Sequence, residues 1–179
     1  MTVTRVPGFV ANGISCGIKK DNQLDLAFIG TQDGSSALAA GVFTSNKLCA
    51  APVTVTKQHL DAGQSRLNGI VINSGNANAA TGDLGYKNAI LMCETAANVI
   101  GVENSRIGVC STGWIGYQLP IDDICHSIPL VIEGSTVDGG DIASRAIMTT
   151  DTKEKTFFKE YKDGNGVQFC VGAIAKGAA

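Results

Sequence analysis

The sequence has few aromatic residues and little charge of either sign. Aromatic residues make up 6% of it and charged residues 17%, and 14 Lys and Arg nearly balance 16 Asp and Glu, for a net charge of −2. Proteins that bind nucleic acid through its phosphates need a basic surface, so this class is excluded. No apolar run approaches the roughly 18 residues of a membrane span, and residues 1–8 lack the apolar stretch of a signal peptide. We therefore expect a cytoplasmic protein with no nucleic-acid and no membrane partner.

Paired cysteines are also lacking. The six cysteines are scattered, with no C-x-x-C pair, and the two histidines, His59 and His126, lie far from any cysteine pair. This spacing argues against a zinc site, and we expect no metal. Buried, reduced thiols in a cytoplasmic protein are the simplest interpretation. Four of the six have apolar neighbours: Cys93, Cys110, Cys125 and Cys170.

What the sequence does contain is a globular composition rich in small residues. It has 179 residues, 44% of them hydrophobic, and 22 glycines. This length and composition predict a single domain over residues 1–179 with a substantial core. Many of the glycines indicate tight turns or close backbone approaches.

The pattern of apolar residues predicts two β-rich parts around a helical middle. The best helix is 83–100, where apolar residues recur every three or four positions (Tyr86, Ile90, Cys93, Ala97, Ile100), with Thr81 or Asp83 at its start and Gly101 at its end. Other helices are predicted at 58–62, from Pro120 to Pro129, and at 141–148. Strands are predicted at 24–29, 41–44, 53–56, 68–73, 106–110, 156–162 and 167–175.

The last two strands flank Asp163-Gly164-Asn165-Gly166, a strong hairpin signal. The fold class is therefore α/β (α+β), with a mixed, partly antiparallel sheet and flanking helices.

Two polar segments at the ends of predicted strands are candidate sites. In residues 73–82, three Asn and several small residues offer hydrogen-bond groups to a ligand, or equally form a turn with Asn in left-handed conformations. Ser111-Thr112-Gly113 follows the strand 106–110. A tight turn there aims a backbone N–H and a hydroxyl at one point, as an oxyanion hole requires, but it is also compatible with a plain turn.

Two further segments are candidates for binding an amino acid. Thr149-Thr150-Asp151 ends a predicted helix, and its hydroxyls and carboxylate either bind substrate or make local bonds to the backbone. Lys176-Gly177 follows the last strand, where the lysine either faces a substrate carboxylate or is solvated. Each segment alone is weak evidence.

Together the four segments resemble the signature motifs of the ornithine acetyltransferase (glutamate N-acetyltransferase) family, in that family's order. They are NSGNANAATG at 73–82, CSTGWIG at 110–116, AIMTTD at 146–151 and AKG at 175–177. The N-terminal part also matches, through PGF at 7–9, GIK at 17–19, AAGVFT at 39–44 and AAPV at 50–53. The resemblance covers nearly the whole chain.

The resemblance implies an N-terminal-nucleophile-type fold and a precursor that cuts itself before a threonine. The resulting α and β chains stay together, as an α2β2 assembly in the family. This chain would be the α chain, and the nucleophilic threonine would lead the β chain. N2-acetylornithine would acetylate that threonine, and glutamate would take the acetyl group in a ping-pong reaction of arginine biosynthesis. Some members also accept acetyl-CoA, as a co-substrate and not as a bound cofactor.

The resemblance also implies roles for particular residues. Thr112 and Gly113 match the oxyanion-hole pair, and Thr149 and Lys176 match substrate-binding positions. Trp114 stands where the family has a smaller aliphatic residue, Ala80 where cysteine is common, and Ala179 where glycine is usual. Residues 157–166 are longer than usual. In the family the Lys-Gly pair leads through a short stretch to the cleavage point, so we expect a frayed α-chain end beyond Ala179.

Two other functions remain open. One is a hydrolase of related architecture, such as an aminopeptidase or amidase, in which water replaces the amino acid as acceptor. The other is a non-catalytic module that senses an amino acid. A partner chain that begins with threonine distinguishes the enzymes from the module.

Overall fold

A computed structural model describes residues 2–177. Ala179, where the family usually has glycine, lies outside these residues. The strands are β1 (Phe9–Ile14), β2 (Leu26–Thr31), β3 (Ala37–Leu38), β4 (Arg66–Leu67), β5 (Gly69–Asn76), β6 (Ile107–Trp114), β7 (Lys155–Lys162) and β8 (Gln168–Ala175). The helices are α1 (Ala51–Ala62), α2 (Gly82–Ile100), α3 (Ile121–Glu133) and α4 (Gly140–Ala146). Short 3-10 turns cover Val3–Arg5 and Asn104–Arg106.

The central sheet has four strands in the order β1-β2-β5-β6. The first two pairings are antiparallel, and β5 pairs with β6 in parallel. A parallel pair needs a crossover, which α2 supplies between the two strands. The predicted mixed, partly antiparallel sheet with flanking helices is therefore confirmed.

Both faces of this sheet are buried, as β2 shows. Leu26 and Phe28 point into the larger core with α2 and α3, whereas Ala27 points into a smaller core with α4. Successive strand residues face opposite sides of a sheet, so β2 contributes to both cores. The α4 side is made of small residues, and the carbonyl oxygen of Ile142 lies 2.6 Å from where a Cβ of Gly13 would stand. The missing side chain allows α4 to lie close against β1.

The prediction for α2 is confirmed over nearly its full length. Gly101 ends the helix in the left-handed conformation, with φ +80°. Thr81 is the N-cap residue, but its side chain makes no capping bond and instead bonds to Asn78. The buried face is centred on Ala89, Met92, Cys93 and Ala96, so the predicted stripe through Tyr86 and Ile100 lies at its edge.

The strand predicted at 53–56 is wrong, because these residues belong to α1. Pro52 stands in the first turn, where its missing N–H costs nothing. The β-branched side chains that suggested a strand are accommodated by packing against β6. Val55 is fully buried, and the Thr56 Oγ1 donates to the Val109 carbonyl oxygen at 2.7 Å. The strand predicted at 41–44 is also wrong, since this exposed stretch has no regular structure.

Several element ends differ from the prediction. Strand β5 continues through Asn76 and β6 through Trp114, so residues 74–76 and 111–113 lie in paired strands and not in turns. Helix α3 continues past Pro129 to Glu133, and α4 ends at Ala146. These extensions bring polar residues to one edge of the sheet.

The predicted hairpin of β7 and β8 is confirmed. The strands pair from Lys155 with Ala175 to Lys162 with Gln168. The Asp163 carboxylate accepts the N–H groups of Asn165 at 2.9 Å and Val167 at 2.7 Å, which fixes the turn. The open end of the hairpin, where β7 begins, directly follows the segment after α4 in the chain.

Candidate active site

A cleft of about 890 Å³ opens where β5 and β6 end. Carboxyl ends of neighbouring parallel strands are a common place for ligand sites, because loops leave the sheet there in different directions. The walls come from the turn after β1, the ends of β5 and β6, and the segment after α4. The lining residues are Ile18, Lys19, Lys20, Asp21, Gln23, Gly75, Gly113, Trp114, Ile115, Thr149 and Thr150.

Gly113 lies at a close approach of β5 and β6. It pairs with Gly75, next to an irregularity in the register of the two strands. Its φ is +135°, and a Cβ there would lie 2.3 Å from the Gly75 carbonyl carbon and 2.5 Å from the Asn76 nitrogen. Only glycine fits this position. Thr112 is half-buried beside it, pairs with Ser74 and Asn76, and does not line the cleft.

The Asn-rich segment supports the cleft from behind. Asn78 is fully buried and has φ +46°; its side-chain amide donates to the Gly85 carbonyl at 2.8 Å and accepts from the Thr81 hydroxyl at 2.8 Å. Asn73 and Asn76 are also buried and bonded within the protein. The Asn side chains of this segment therefore bond within the protein, but only Asn78 has the left-handed conformation of the predicted turn, because Asn73 and Asn76 belong to β5.

Thr149 lies on the segment after α4 and lines the same cleft as Gly113. Its Oγ1 is buried and has no hydrogen-bond partner among residues 2–177. A buried hydroxyl without a partner is costly, and residues 2–177 supply no partner for this one. The structure thus places Gly113 and Thr149 on the lining of the same cleft.

Asp151 is not a free carboxylate. It accepts the Gly177 N–H at 2.8 Å and the Thr149 N–H at 3.4 Å, and the Lys155 ammonium forms an ion pair with it. The hydrogen bond from Lys155, followed by that from Gly177, keeps the pKa of Asp151 well below its usual range. Asp151 therefore makes local bonds, one of the two alternatives for the Thr149–Asp151 segment.

Lys176 follows β8 and is half-buried. It does not line the cleft, but it lies near enough to Lys19 for the two positive charges to repel each other. The bond between Gly177 and Asp151 brings it to the segment that carries Thr149. Thus Lys176 is linked through Gly177 and Asp151 to the segment of Thr149, while Thr112 does not line the cleft.

Lys19 is a residue of the cleft for which the sequence gave no functional role. Its Nζ donates to the carbonyl oxygens of Leu24 at 2.8 Å and Met148 at 2.6 Å, which joins the turn after β1 to the segment after α4. Burial lowers the pKa of Lys19, the Asp25 carboxylate opposes this effect, and the charge of Lys176 adds to it. The only signal in the sequence was its place in the Gly17-Ile18-Lys19 motif.

The carboxylate of Asp25 supports that turn. It is fully buried and accepts the N–H groups of Cys16 at 2.6 Å and Lys19 at 2.8 Å. Burial, and then the Asp25 charge, raises the pKa of the Cys16 thiol. Cys16 is therefore protonated at neutral pH and unsuited to act as a nucleophile.

Trp114 forms an aromatic edge to the cleft. Its side chain is 74% exposed and meets Tyr117 edge to face, with ring centroids 6.5 Å apart. Because it is so exposed, it contributes contact surface to the cleft mouth and little to the core.

Residues 2–177 also show how the cysteines are buried and whether metal-ligand clusters or membrane-spanning helices occur among them. Cys93 is buried as expected, but Cys110 is exposed and Cys125 and Cys170 are half-buried. Among the described residues, no three His, Cys, Asp or Glu side chains lie together as metal ligands. No helix in that part of the chain combines the length and apolarity needed to cross a membrane.

The chain is similar to known proteins over nearly its whole length. The sequence model of the ArgJ family matches residues 10–179. The arginine biosynthesis bifunctional protein ArgJ of Bifidobacterium longum is 41% identical over 181 residues, covering 99% of this chain and 44% of that protein. The protein of the same name from Streptomyces coelicolor is 42% identical over 178 residues, with coverage of 99% and 44%. This chain thus spans less than half the length of these relatives.

Two solved structures share the fold. The arginine biosynthesis bifunctional protein ArgJ of Bacillus halodurans superposes with a TM-score of 0.91 at 36% identity, covering 99% of this chain and 91% of that chain. The ornithine acetyltransferase of Mycobacterium tuberculosis, solved in complex with ornithine, superposes with a TM-score of 0.89 at 38% identity, with coverage of 99% and 92%.

Proposed function

The chain belongs to the ArgJ family, and from that premise we propose that it is the α chain of an ornithine acetyltransferase. The enzyme transfers the acetyl group of N2-acetylornithine to glutamate in arginine biosynthesis. The observation that carries this proposal is that Gly113 and Thr149, far apart in sequence, line one cleft, and that the buried Thr149 hydroxyl has no partner among residues 2–177. The ornithine bound to the M. tuberculosis neighbour supports ornithine as one product.

The proposed nucleophile is a threonine at the start of a second chain, released by self-cleavage of a common precursor. The coverage of 44% of the relatives supports a second polypeptide of comparable size. A threonine hydroxyl is a weak nucleophile, but the free α-amine of the same residue acts as its base. With a reference pKa of roughly 8, much of that amine is unprotonated near neutral pH. Cleavage thus produces the nucleophile and its base together.

The reaction proceeds in two acyl transfers. The threonine oxygen attacks the acetyl carbonyl of N2-acetylornithine, the C–N bond breaks, and the proton taken by the α-amine goes to the departing ornithine amine. The α-amine of glutamate then attacks the acetyl-threonine ester, the C–O bond breaks, the α-amine of the threonine passes the proton of the attacking amine to the threonine oxygen, and N-acetylglutamate leaves. Both steps pass through a tetrahedral intermediate with a negatively charged oxygen.

Residues of this chain serve those steps in the proposal. Thr112 and Gly113 stabilise the charged oxygen as an oxyanion hole, where loss of one donor typically costs on the order of 10²–10³ in rate. The Thr149 hydroxyl donates a hydrogen bond to the substrate, and the positive charge of Lys176 binds a substrate carboxylate. No bound cofactor or metal is needed, and acetyl-CoA is an additional donor in this proposal.

The proposed assembly is a cytoplasmic α2β2 heterotetramer. Apolar side chains exposed on this chain support a partner. Near the cleft these include Trp114 and Ile115, and away from it Leu38, Val42 and Leu48. Isolated exposed apolar residues are ordinary, but groups of them are typical of a surface covered by another chain.

The testing experiment is intact mass measurement under denaturing conditions, after incubation with deuterated-acetyl N2-acetylornithine. We expect a second chain that begins with threonine and gains one labelled acetyl group, which moves to glutamate when glutamate is added. If the label leaves as acetate in the absence of glutamate, the protein is a hydrolase. If the amino acids bind and no second chain is acetylated, it is a sensing module.

A further inference from the structure

The Asp151 carboxylate joins two chain segments that carry proposed substrate-binding residues. One oxygen accepts the N–H of Gly177 at 2.8 Å, next to Lys176, and the other accepts the N–H of Thr149 at 3.4 Å. Asp151 and Gly177 lie 26 residues apart in sequence. Their relative position is not fixed by strand pairing, because α4 ends at Ala146 and β8 at Ala175.

Further contacts surround this carboxylate and the segment that carries it. The Asp151 side chain is 4% exposed. Gly177 fits closely, since a Cβ there would lie 2.8 Å from the Asp151 Oδ1. The segment is anchored from the other side as well, because Lys19 bonds to the Met148 carbonyl.

We propose that Asp151 is a positioning residue that sets the distance between Lys176 and the Thr149 hydroxyl, and so determines how the enzyme binds its amino-acid substrates. This inference rests on the proposed function. Asp151 itself touches no reacting atom. Its carboxylate links Thr149 and Lys176 indirectly, because it accepts the backbone N–H of Thr149 and that of Gly177, the residue after Lys176.

Bonds from a carboxylate to N–H groups are strong, which suits this role. A charged acceptor makes a hydrogen bond about twice as strong as a neutral one. The Lys155 ion pair is different, because the Lys155 side chain is 49% exposed and exposed pairs contribute little. Lys155 therefore serves as the matched control, since its removal leaves both backbone bonds in place.

The experiment compares Asp151→Asn, Lys155→Met and the unsubstituted protein, each produced with its second chain. We expect Asp151→Asn to raise KM for glutamate and N2-acetylornithine about tenfold, the size of one lost charge-assisted hydrogen bond, with kcat within about twofold. Lys155→Met should leave both within about twofold. Hydrogen exchange of the peptide containing Gly177, measured without substrate, should speed up in Asp151→Asn and not in Lys155→Met.

A second variant changes the donor of the hydrogen bond between Gly177 and Asp151. Gly177→Pro removes the N–H donor without changing the charge of Asp151, and its added Cβ, 2.8 Å from the Asp151 Oδ1, also forces the two segments apart. It should reproduce the KM increase, including if Asp151→Asn does not assemble. Unchanged KM in both variants, or a KM increase in Lys155→Met equal to that in Asp151→Asn, overturns the inference. Absence of transferase activity in the unsubstituted protein overturns the proposed function instead, and the exchange result then decides the positioning role alone.

Discussion

Replacing Gly113 with alanine tests whether the close approach of β5 and β6 shapes the site. A side chain at φ +135° is strained by about 1–3 kcal/mol. The added Cβ would also stand 2.3 Å from the Gly75 carbonyl carbon, and separating two packed strands costs about 1–3 kcal/mol more. The sum is about 4 kcal/mol, or roughly 8–16 °C in melting temperature for a chain of this size.

Gly116→Ala is the matched control. Gly116 also has a positive φ, of +85°, but a Cβ there would meet nothing within 4 Å. Only the conformational strain remains, about 1–2 kcal/mol, or roughly 2–8 °C. Thermal melts of the two purified variants, each with its second chain, measure the difference.

The acetyl-transfer rate of the same samples gives a second measure. We expect Gly113→Ala to lose it at a temperature where the protein is still folded, because the strand end that carries the proposed oxyanion hole must move. The reasoning is refuted if Gly113→Ala melts within about 2 °C of Gly116→Ala, since the two differ chiefly in the backbone contact.

Three further predictions concern buried polar groups. Thr149→Val should weaken N2-acetylornithine binding about tenfold, measured by KM, without lowering the melting temperature, because the buried hydroxyl has no protein partner; a large drop in melting temperature would contradict this. Asn78→Ala should destabilise the protein by about 2–4 kcal/mol in thermal melts, because it leaves the Gly85 carbonyl and the Thr81 hydroxyl without partners; a change under about 0.5 kcal/mol would show that water replaces the amide. Asp151 has a lowered folded-state pKa, so its stabilisation is complete above its ordinary value of 3.8 and is lost as pH falls through the folded value. The melting-temperature deficit of Asp151→Asn should therefore be constant from pH 5 to 7, by this linkage, and shrink on acidification, and a deficit independent of pH would exclude the carboxylate charge as its cause.

The elements that the sequence predicted correctly are those in which local and tertiary preferences agree. Helix α2 has an apolar period, a glycine at its end and a well-packed face, and the β7–β8 hairpin has a turn sequence with few alternatives. Helix α1 was partly mistaken for a strand because residues 53–56 are β-branched. Their helical state depends on packing against β6, which no local pattern reveals.

The polar strand ends were harder to predict for a related reason. Glycine and asparagine usually mark loops, but residues 74–76 and 111–113 pair with each other in parallel, so each stretch is extended only because the other is present. This pairing brings Gly113 to the cleft.

Within the site, the sequence indicated the segments but not which groups their side chains bond to. The resemblance pointed to Gly113 and Thr149, which line one cleft. It did not indicate that the Asp151 carboxylate bonds to Gly177, or that the half-buried Lys19 lines the cleft and bonds to the Leu24 carbonyl. Which partner such a side chain bonds to depends on burial and on residues distant in sequence.

The bond from Lys19 to the Met148 carbonyl also has a consequence for folding order. Its partners are 129 residues apart in sequence, so it forms only after most of this chain has been synthesised. Contacts of such long range close large loops and tend to form late. The sheet and α2 can therefore be complete on a nascent chain while the cleft is still open on the α4 side. The segment after α4, which follows all four strands of the central sheet in the chain, then closes that side of the cleft.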